Sequence, residues 1–235
     1  MSILNFLNEV KDMNGFSLLA LIDPDKKNDS RLKDILHRIN SSNFNAILVG
    51  GSYIEDDLFE KRIKYIKSNT ELPLISFPGS SNQISHQINS MLYLNLISGR
   101  NPKYLIDEQV KGAKKINKLN IDTIPTAYIL LDGGSSTSVS NISNTNPLNM
   151  NDKENVLSHA LAGQFMGNKL INFDCGSGSK FSIKSDLLSY ISKEVKIPII
   201  VGGGIKSYGE ALQLSKRGAS HVVVGNSLES GDYDF

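Results

Sequence analysis

Two polar segments directly follow apolar runs of the chain and carry the residue types of a metal site. Asp23-Pro24-Asp25-Lys26 follows the run Leu18–Ile22, and Ser52 follows Gly50-Gly51 after a second run. Mg²⁺ prefers one or two carboxylates together with substrate phosphate oxygens, so Asp23 is a candidate ligand and the Ser52 hydroxyl a second one. The alternative is that Asp and Pro turn the chain and cap the next helix, with Ser52 as a turn or N-cap residue.

Glycine-rich segments end the last two apolar runs. Gly202-Gly203-Gly204 follows Ile197–Val201, and Gly225-Asn226 follows His221–Val224. Glycine lets backbone N–H groups approach an anion closely, and the N-terminus of a following helix adds partial positive charge. Two such loops after the last two strands match the phosphate cup of a (β/α)8 barrel. For either loop alone, the alternative is a tight turn.

A third loop combines a carboxylate with glycines. Asp174 precedes Cys175 and the segment Gly176-Ser177-Gly178. The carboxylate could act as a general base for an alcohol, or it could be an ordinary helix-capping acid. We interpret Ser177 as phosphate-binding rather than nucleophilic, because glycine flanks it on both sides and no histidine follows any apolar run.

Arg100 has two open interpretations. It could clamp a pyrophosphate, or it could pair with Asp107 or Glu108 nearby. We interpret the four histidines as structural, since none has ligand spacing to another: they are His37, His86, His159 and His221.

These segments belong to an alternating pattern of strands and helices. Eight strand-like runs, most of them followed by a helical pattern, predict a parallel sheet closed into a (β/α)8 TIM barrel. In such barrels the chemistry lies at the carboxyl ends of the strands, where the candidate acidic and glycine residues fall. The predicted strands are Leu18–Ile22, Ala46–Val49, Pro73–Phe77, Met91–Leu96, Thr126–Leu131, Leu170–Phe173, Ile197–Val201 and His221–Val224, and the clearest helices are Arg31–Asn40, Ile54–Lys67, Lys103–Lys118, Glu154–Gly163, Lys184–Val195 and Tyr208–Arg217.

Three segments are expected to depart from a regular barrel. Pro78–Ser90 is short, so the third helix is predicted to be irregular or missing. Ser135–Asn149 is polar and rich in turn residues, which predicts a long mobile loop after the fifth strand. The residues after Ser227 leave little room for a full eighth helix.

Length and composition fit one domain, residues 1–235, with 40% hydrophobic residues for a core. A formal charge of +1 without a long basic run argues against nucleic acid as a partner. The apolar runs fall well short of the roughly 18 residues of a membrane span, and the N-terminal pattern predicts a short amphipathic helix instead of a signal peptide. Cys175, the single cysteine, fits a reducing compartment, so we expect a cytoplasmic protein.

Eight motifs lie along nearly the whole chain: LIDPDK (21–26), VGGS (49–52), FPGSSNQIS (77–85), SGRNPKYLI (98–106), IPTAYILLDGG (124–134), GSG (176–178), VGGGIKS (201–207) and VVGN (223–226). Together they resemble the geranylgeranylglyceryl phosphate synthase family. The resemblance implies a modified TIM barrel in which an irregular segment replaces the third helix. It also implies Mg²⁺-dependent transfer of a geranylgeranyl or similar prenyl group from its diphosphate to the 3-hydroxyl of sn-glycerol 1-phosphate, in ether-lipid synthesis, by a homo-oligomer.

The resemblance also implies roles for individual residues. Asp23 and Ser52 would hold the metal, and Asp174 would be the catalytic base. Glycerol phosphate would be bound by Asn172, Phe173, Asp174, Cys175, Gly176, Ser177, Gly178, Gly203, Gly204, Gly225 and Asn226.

One segment departs from the family pattern. The family typically has Tyr-Leu-Glu before its glycine-serine-glycine loop, where this chain has Asn172-Phe173-Asp174. A base shortened by one methylene can be misplaced by about 1 Å, which can cost on the order of 100-fold in rate. Two alternatives therefore stay open: a barrel that binds a phosphate ligand without turnover, and another phosphate-binding TIM-barrel enzyme, such as an isomerase, aldolase or flavin barrel.

Overall fold

Eight parallel strands close into a barrel in sequence order, β1 to β8, with β8 paired to β1. The computed structural model describes residues 1–54 and 56–234. Most residues of these strands are buried, as expected for parallel strands covered on both faces. The predicted TIM barrel is confirmed. The strands are Ser17–Ile22, Ala46–Val49, Leu74–Ser76, Ser90–Leu96, Asp122–Leu130, Leu170–Asp174, Ile199–Gly202 and His221–Val224.

Side chains alternate between the barrel interior and the layer beneath the helices. Leu48, Leu92 and Ile200 belong to the interior cluster, whereas Ile47 and Val201 belong to the larger outer cluster. This two-residue period fixes which strand-end side chains face the cavity and which face the helices.

Helices follow most strands and cover the outside of the barrel. Helix α1 precedes β1 and places Leu7 in the interior cluster, so it closes the amino-terminal end of the barrel. The helices are α1 Ile3–Asn14, α2 Leu32–Asn40, α3 Phe59–Ser68, α4 Glu108–Leu119, α5 Ser138–Ser143, α6 Lys153–Phe165, α7 Ser185–Glu194, α8 Tyr208–Ser215 and α9 Asn226–Ser230. Among the described residues, no helix is long and apolar enough to cross a membrane.

The expected irregularities lie where the sequence predicts them. No described residue between β3 and β4 is helical, and α9 has five residues in place of a full final helix. Helix α3 begins later than the predicted Ile54, and Lys103–Asp107 forms a π-helical turn before α4. The predicted loop after β5 is more ordered than expected, because Thr137 opens α5 with a capping box to Ser140.

Candidate active site

A cavity of about 950 Å³ opens at the carboxyl ends of the strands. Its lining includes Asp23 after β1, Gly51 and Ser52 after β2, and the glycine loops after β6, β7 and β8. The cavity has a polar side and an apolar side. Glycine backbone and polar groups line one side, and an apolar arm extends over β3 and β4, formed by Phe77, Ile84, Leu94, Leu96, Tyr104 and Ile116.

Three predicted phosphate loops converge on the polar side of this cavity. The Ser177 hydroxyl donates a hydrogen bond to the Asn226 side-chain oxygen over 2.7 Å, which joins the loops after β6 and β8. Gly203 packs so closely on the β6 loop that an added Cβ would lie 2.9 Å from the backbone nitrogens of Cys175 and Gly176. Gly203 and Gly204 have φ angles of 85° and 72°, which favour glycine. We call these loops, formed by Gly176–Gly178, Gly203-Gly204 and Gly225-Asn226, the phosphate cup.

Asp174 lies between the phosphate cup and the barrel interior. Its Oδ1 accepts a hydrogen bond from the Gly176 backbone N–H over 2.7 Å, and its Oδ2 accepts one from the Tyr128 hydroxyl. Burial raises the pKa of this carboxyl, while the two hydrogen bonds act in the opposite direction. A half-buried carboxylate with a raised pKa beside an anion site has the properties of a general base.

Asn172 lies one step deeper on the same face of β6. Its side chain is 2% exposed, lines the cavity, and has an Nδ2 group without a partner among the described residues. A buried amide donor without a partner is unfavourable unless a ligand or water satisfies it. Asn172 is therefore placed to donate a hydrogen bond to a bound molecule.

Two neighbours of these residues direct their side chains away from the cavity. The side chains of Phe173 and Cys175 are fully buried in the outer cluster, on the helix side of β6, and do not line the cavity. The alternation of side chains along a strand explains this, because residues 172 and 174 face inwards and residues 173 and 175 outwards. A role of Phe173 and Cys175 in glycerol phosphate binding therefore stays a prediction for their backbone groups. Burial also raises the pKa of the Cys175 thiol, which keeps it protonated.

Asp23 lies after β1, the neighbour of β8 in the barrel, in a network that includes an unpredicted residue. Its Oδ2 is 2.6 Å from the Lys27 ammonium, and its Oδ1 is buried without a hydrogen-bond partner among the described residues. Its backbone N–H donates to Glu229 in α9, which also accepts from Asn28; both distances are 2.8 Å. Burial raises the pKa of the Asp23 and Glu229 carboxyls.

The residues around Asp23 fit a Mg²⁺ site that is completed by substrate. Among the described residues, no three His, Cys, Asp or Glu side chains form a metal cluster. Mg²⁺ is commonly bound through one or two carboxylates plus phosphate oxygens and water, so a single unpartnered carboxylate oxygen suffices. Gly51 packs against the Asp23 carboxylate and brings the next residue, Ser52, to the same cavity.

Arg62 is a further residue that the sequence did not single out. It is 4% exposed and donates through its guanidinium to both carboxylate oxygens of Asp29 and of Asp56, over 2.5–2.8 Å. It thereby ties the loop after β1 to the loop after β2, the two loops that carry Asp23 and Ser52. The sequence hints at only one of these pairs, since Asp56 lies 6 positions from Arg62 whereas Asp29 lies 33 positions away.

Both interpretations of Arg100 are wrong. Its guanidinium donates to the carbonyl oxygens of Ile97 and Gly99, over 3.1 and 2.7 Å, and Arg100 does not line the cavity. Glu108 instead accepts from the Ser81 backbone N–H over 2.7 Å. His221 lies at the other end of β8, buried against the Ser17 hydroxyl at 2.8 Å.

The comparisons with known proteins agree with this geometry. The profile of the PcrB family matches residues 10–234. A geranylgeranylglyceryl phosphate synthase of Flavobacterium johnsoniae is 42% identical over 223 residues, covering 94% of this chain and 92% of the relative. One from Thermoplasma volcanium is 34% identical over 215 residues, covering 91% of this chain and 84% of the relative.

Solved structures show the same similarity. The geranylgeranylglyceryl phosphate synthase of Thermoplasma acidophilum, crystallised with its substrate sn-glycerol-1-phosphate, has a TM-score of 0.90 at 32% identity, covering 97% of this chain and 92% of that one. An N-acetylmannosamine-6-phosphate 2-epimerase of Clostridium perfringens reaches a TM-score of 0.57 at 16% identity, covering 90% of this chain and 87% of that one, and shares the fold alone.

Proposed function

The chain belongs to the PcrB family and is a prenyltransferase, and we propose that it moves a prenyl group from a prenyl diphosphate to the 3-hydroxyl of sn-glycerol 1-phosphate. The observation that carries the proposal is the phosphate cup beside Asp174, at one end of a cavity whose other end is an apolar arm. One anionic acceptor and one long apolar donor fit such a cavity.

The phosphate of the acceptor binds in the cup. Gly203 and Gly204 present bare backbone there, and the Ser177–Asn226 hydrogen bond holds two of the loops together. With the phosphate in the cup, the glycerol moiety extends towards Asp174 and the unpartnered Nδ2 of Asn172. In the Thermoplasma acidophilum relative, sn-glycerol-1-phosphate is the crystallised substrate.

The diphosphate of the donor binds near Asp23, after β1, beside the phosphate cup. Asp23 and Ser52 would hold Mg²⁺, which would supply positive charge for the departing diphosphate. The ammonium of Lys27 lies 2.6 Å from the Asp23 carboxylate, so it shares this carboxylate with the proposed metal. The prenyl tail lies in the apolar arm, where it is removed from water.

The remaining predictions concern the setting of the enzyme. A homo-oligomer and a cytoplasmic location stay predictions, which light scattering and cell fractionation would test. A barrel that binds glycerol 1-phosphate without turnover is the competing outcome, since Asn172 and Asp174 are the residues that depart from the family pattern.

The test is prenyl transfer to labelled sn-glycerol 1-phosphate, with a series of prenyl diphosphates, with and without Mg²⁺. We expect product only when all three components are present. Asp23→Asn should lower transfer on the order of 100-fold while glycerol 1-phosphate binding, measured by calorimetry, stays unchanged. Asp34→Asn, at an exposed position of α2, is the matched control. Equal loss of both functions in Asp23→Asn would make Asp23 a structural residue.

A further inference from the structure

The carboxylate of Asp174 is already engaged on both of its oxygens. Gly176 donates to Oδ1 over 2.7 Å and the Tyr128 hydroxyl donates to Oδ2. Aspartate has the shortest acidic side chain, so these contacts keep the charge close to the end of β6. A substrate hydroxyl that approaches from the cavity therefore meets the Tyr128 hydroxyl as well as the Asp174 carboxylate.

Tyr128 is placed where the two halves of the cavity join. Its ring packs with Leu96 and Leu130 and lies 5.9 Å from the ring of Phe77, centroid to centroid, so it belongs to the apolar arm. Its hydroxyl belongs to the polar side, through the hydrogen bond to Asp174. It is 4% exposed, yet it lines the cavity. The acceptor hydroxyl and the reacting carbon of the donor must meet at this junction.

We propose that Tyr128 is a catalytic residue that relays the proton of the acceptor hydroxyl to Asp174, an inference that rests on the function proposed above. The bond between prenyl C1 and the diphosphate oxygen breaks, and the diphosphate leaves with the electron pair. The glycerol O3 forms its bond to C1 and gives its proton to the Tyr128 oxygen. The proton of Tyr128 passes at the same time to Oδ2 of Asp174, so no charge accumulates on the phenol.

The electrostatics of the pair favour a relay over a tyrosinate base. Burial and the neighbouring Asp174 charge raise the pKa of Tyr128 well above its ordinary value, which keeps the phenol neutral. A neutral phenol can accept one hydrogen bond while it donates another. Burial raises the pKa of Asp174, so its carboxylate is more basic than that of an ordinary aspartate and takes the final proton while the phenol stays neutral.

The first test is kinetic and uses single and double variants. Tyr128→Phe keeps the ring and removes the relay, so kcat should fall on the order of 100-fold. Tyr128→Phe/Asp174→Asn should be no slower than Asp174→Asn alone by more than about twofold, because two residues that act as a unit are lost together. Tyr190→Phe is the matched control, since Tyr190 also donates to a carboxylate, that of Glu154, on the outer helices.

The second test measures binding and needs no turnover. Calorimetry compares sn-glycerol 1-phosphate with the 3-deoxy analogue, propane-1,2-diol 1-phosphate of the same configuration. Wild type should bind glycerol 1-phosphate about fivefold more tightly, the equivalent of one ordinary hydrogen bond. In Tyr128→Phe the two ligands should bind equally, because the partner of the 3-hydroxyl is gone.

The outcomes separate this proposal from the proposed function. Transfer by Tyr128→Phe within about threefold of wild type, with Asp174→Asn inactive, would overturn the relay. A binding preference that persists in Tyr128→Phe would overturn the contact. A wild type that binds the acceptor but transfers nothing refutes the proposed function; the collapse of the binding preference in Tyr128→Phe would then still support the contact. Absence of acceptor binding in wild type would refute both.

Discussion

The ammonium of Lys27 lies 2.6 Å from Oδ2 of Asp23, while Oδ1 of the same carboxylate has no hydrogen-bond partner among the described residues. The two side chains are four positions apart in the loop after β1 and both line the cavity. The lysine therefore places a positive charge on the carboxylate to which the proposed Mg²⁺ would bind.

Lys27→Gln should tighten divalent-ion binding, because the metal no longer competes with the ammonium. Lys27 is half exposed in this ion pair, so we expect about a fivefold effect, the equivalent of about 1 kcal/mol. Titration with Mn²⁺, followed by electron paramagnetic resonance, measures the affinity directly. Lys11→Gln, which removes a surface lysine paired with Asp12, is the control. Unchanged affinity in Lys27→Gln would show that the lysine and the metal do not share the site.

Asp174→Asn should stabilise the protein at neutral pH although it removes the proposed base. Burial raises the folded-state pKa of this carboxyl above its unfolded value, so its ionisation opposes folding once the pH exceeds the folded-state pKa. The neutral amide avoids that cost. We expect a higher Tm at pH 7–8, with the gain disappearing as the pH falls below the unfolded pKa of about 3.9. A lower Tm at neutral pH would mean that the hydrogen bonds of the carboxylate outweigh its burial.

Gly203→Ala should abolish binding of the acceptor, while the protein still folds. The added Cβ would meet the backbone nitrogens of Cys175 and Gly176 at 2.9 Å, and rigid backbone must then move. Gly167→Ala is a matched control, because Gly167 has a similar φ of 88° but open space around its Cα. Both variants should lose about 1–2 kcal/mol from the left-handed backbone. Calorimetry should show loss of glycerol 1-phosphate binding in Gly203→Ala alone, and equal loss in both would remove this residue from the phosphate cup.

Arg62→Met should lower the Tm of the protein mainly at pH values above about 4. Arg62 lowers the pKa of the Asp56 carboxyl to about 2 and lowers that of Asp29, so both pairs stabilise the fold above the unfolded pKa of about 3.9. That stability is lost as the pH falls towards 2. The Tm of wild type should therefore drop between pH 4 and 2 more than that of Arg62→Met. Lys64→Met, at an exposed position of the same helix, should behave as wild type, and identical pH profiles for all three proteins would contradict the role of Arg62.

The barrel was predictable because its strands carry continuous apolar runs that end in glycine or acidic residues. Ala46–Val49 and His221–Val224 match the predicted bounds, since each run stops where glycine begins. The side chains of Phe173 and Cys175 were assigned to the site because the whole motif 172–178 was assigned together. Alternate residues of a strand face opposite sides, so these two side chains lie in the outer cluster. The period of two along β6 would have assigned both to the core.

Glu229, Arg62 and Tyr128 were not predictable from local pattern. Glu229 holds the backbone of Asp23 from 206 positions away, and Tyr128 donates to Asp174 from the neighbouring strand, 46 positions away. Such contacts depend on which strands adjoin and on the register between them. Tyr128 is paired with Asn172 across β5 and β6. Once the strand order and register are known, the inward-facing residues of adjacent strands can be paired, and the contact between Tyr128 and Asp174 becomes predictable.

The missing helix between β3 and β4 has an evolutionary consequence. This segment forms one wall of the apolar arm through Phe77 and Ile84, and it is attached to the loop after β2 by the Gln83 side chain, which donates to the Gly51 carbonyl oxygen over 2.7 Å. A loop tolerates insertions and deletions that a packed helix does not. The length of this wall, and with it the size of the substrate that fits the apolar arm, can therefore change without disturbing the strand register or the glycine loops of the phosphate cup.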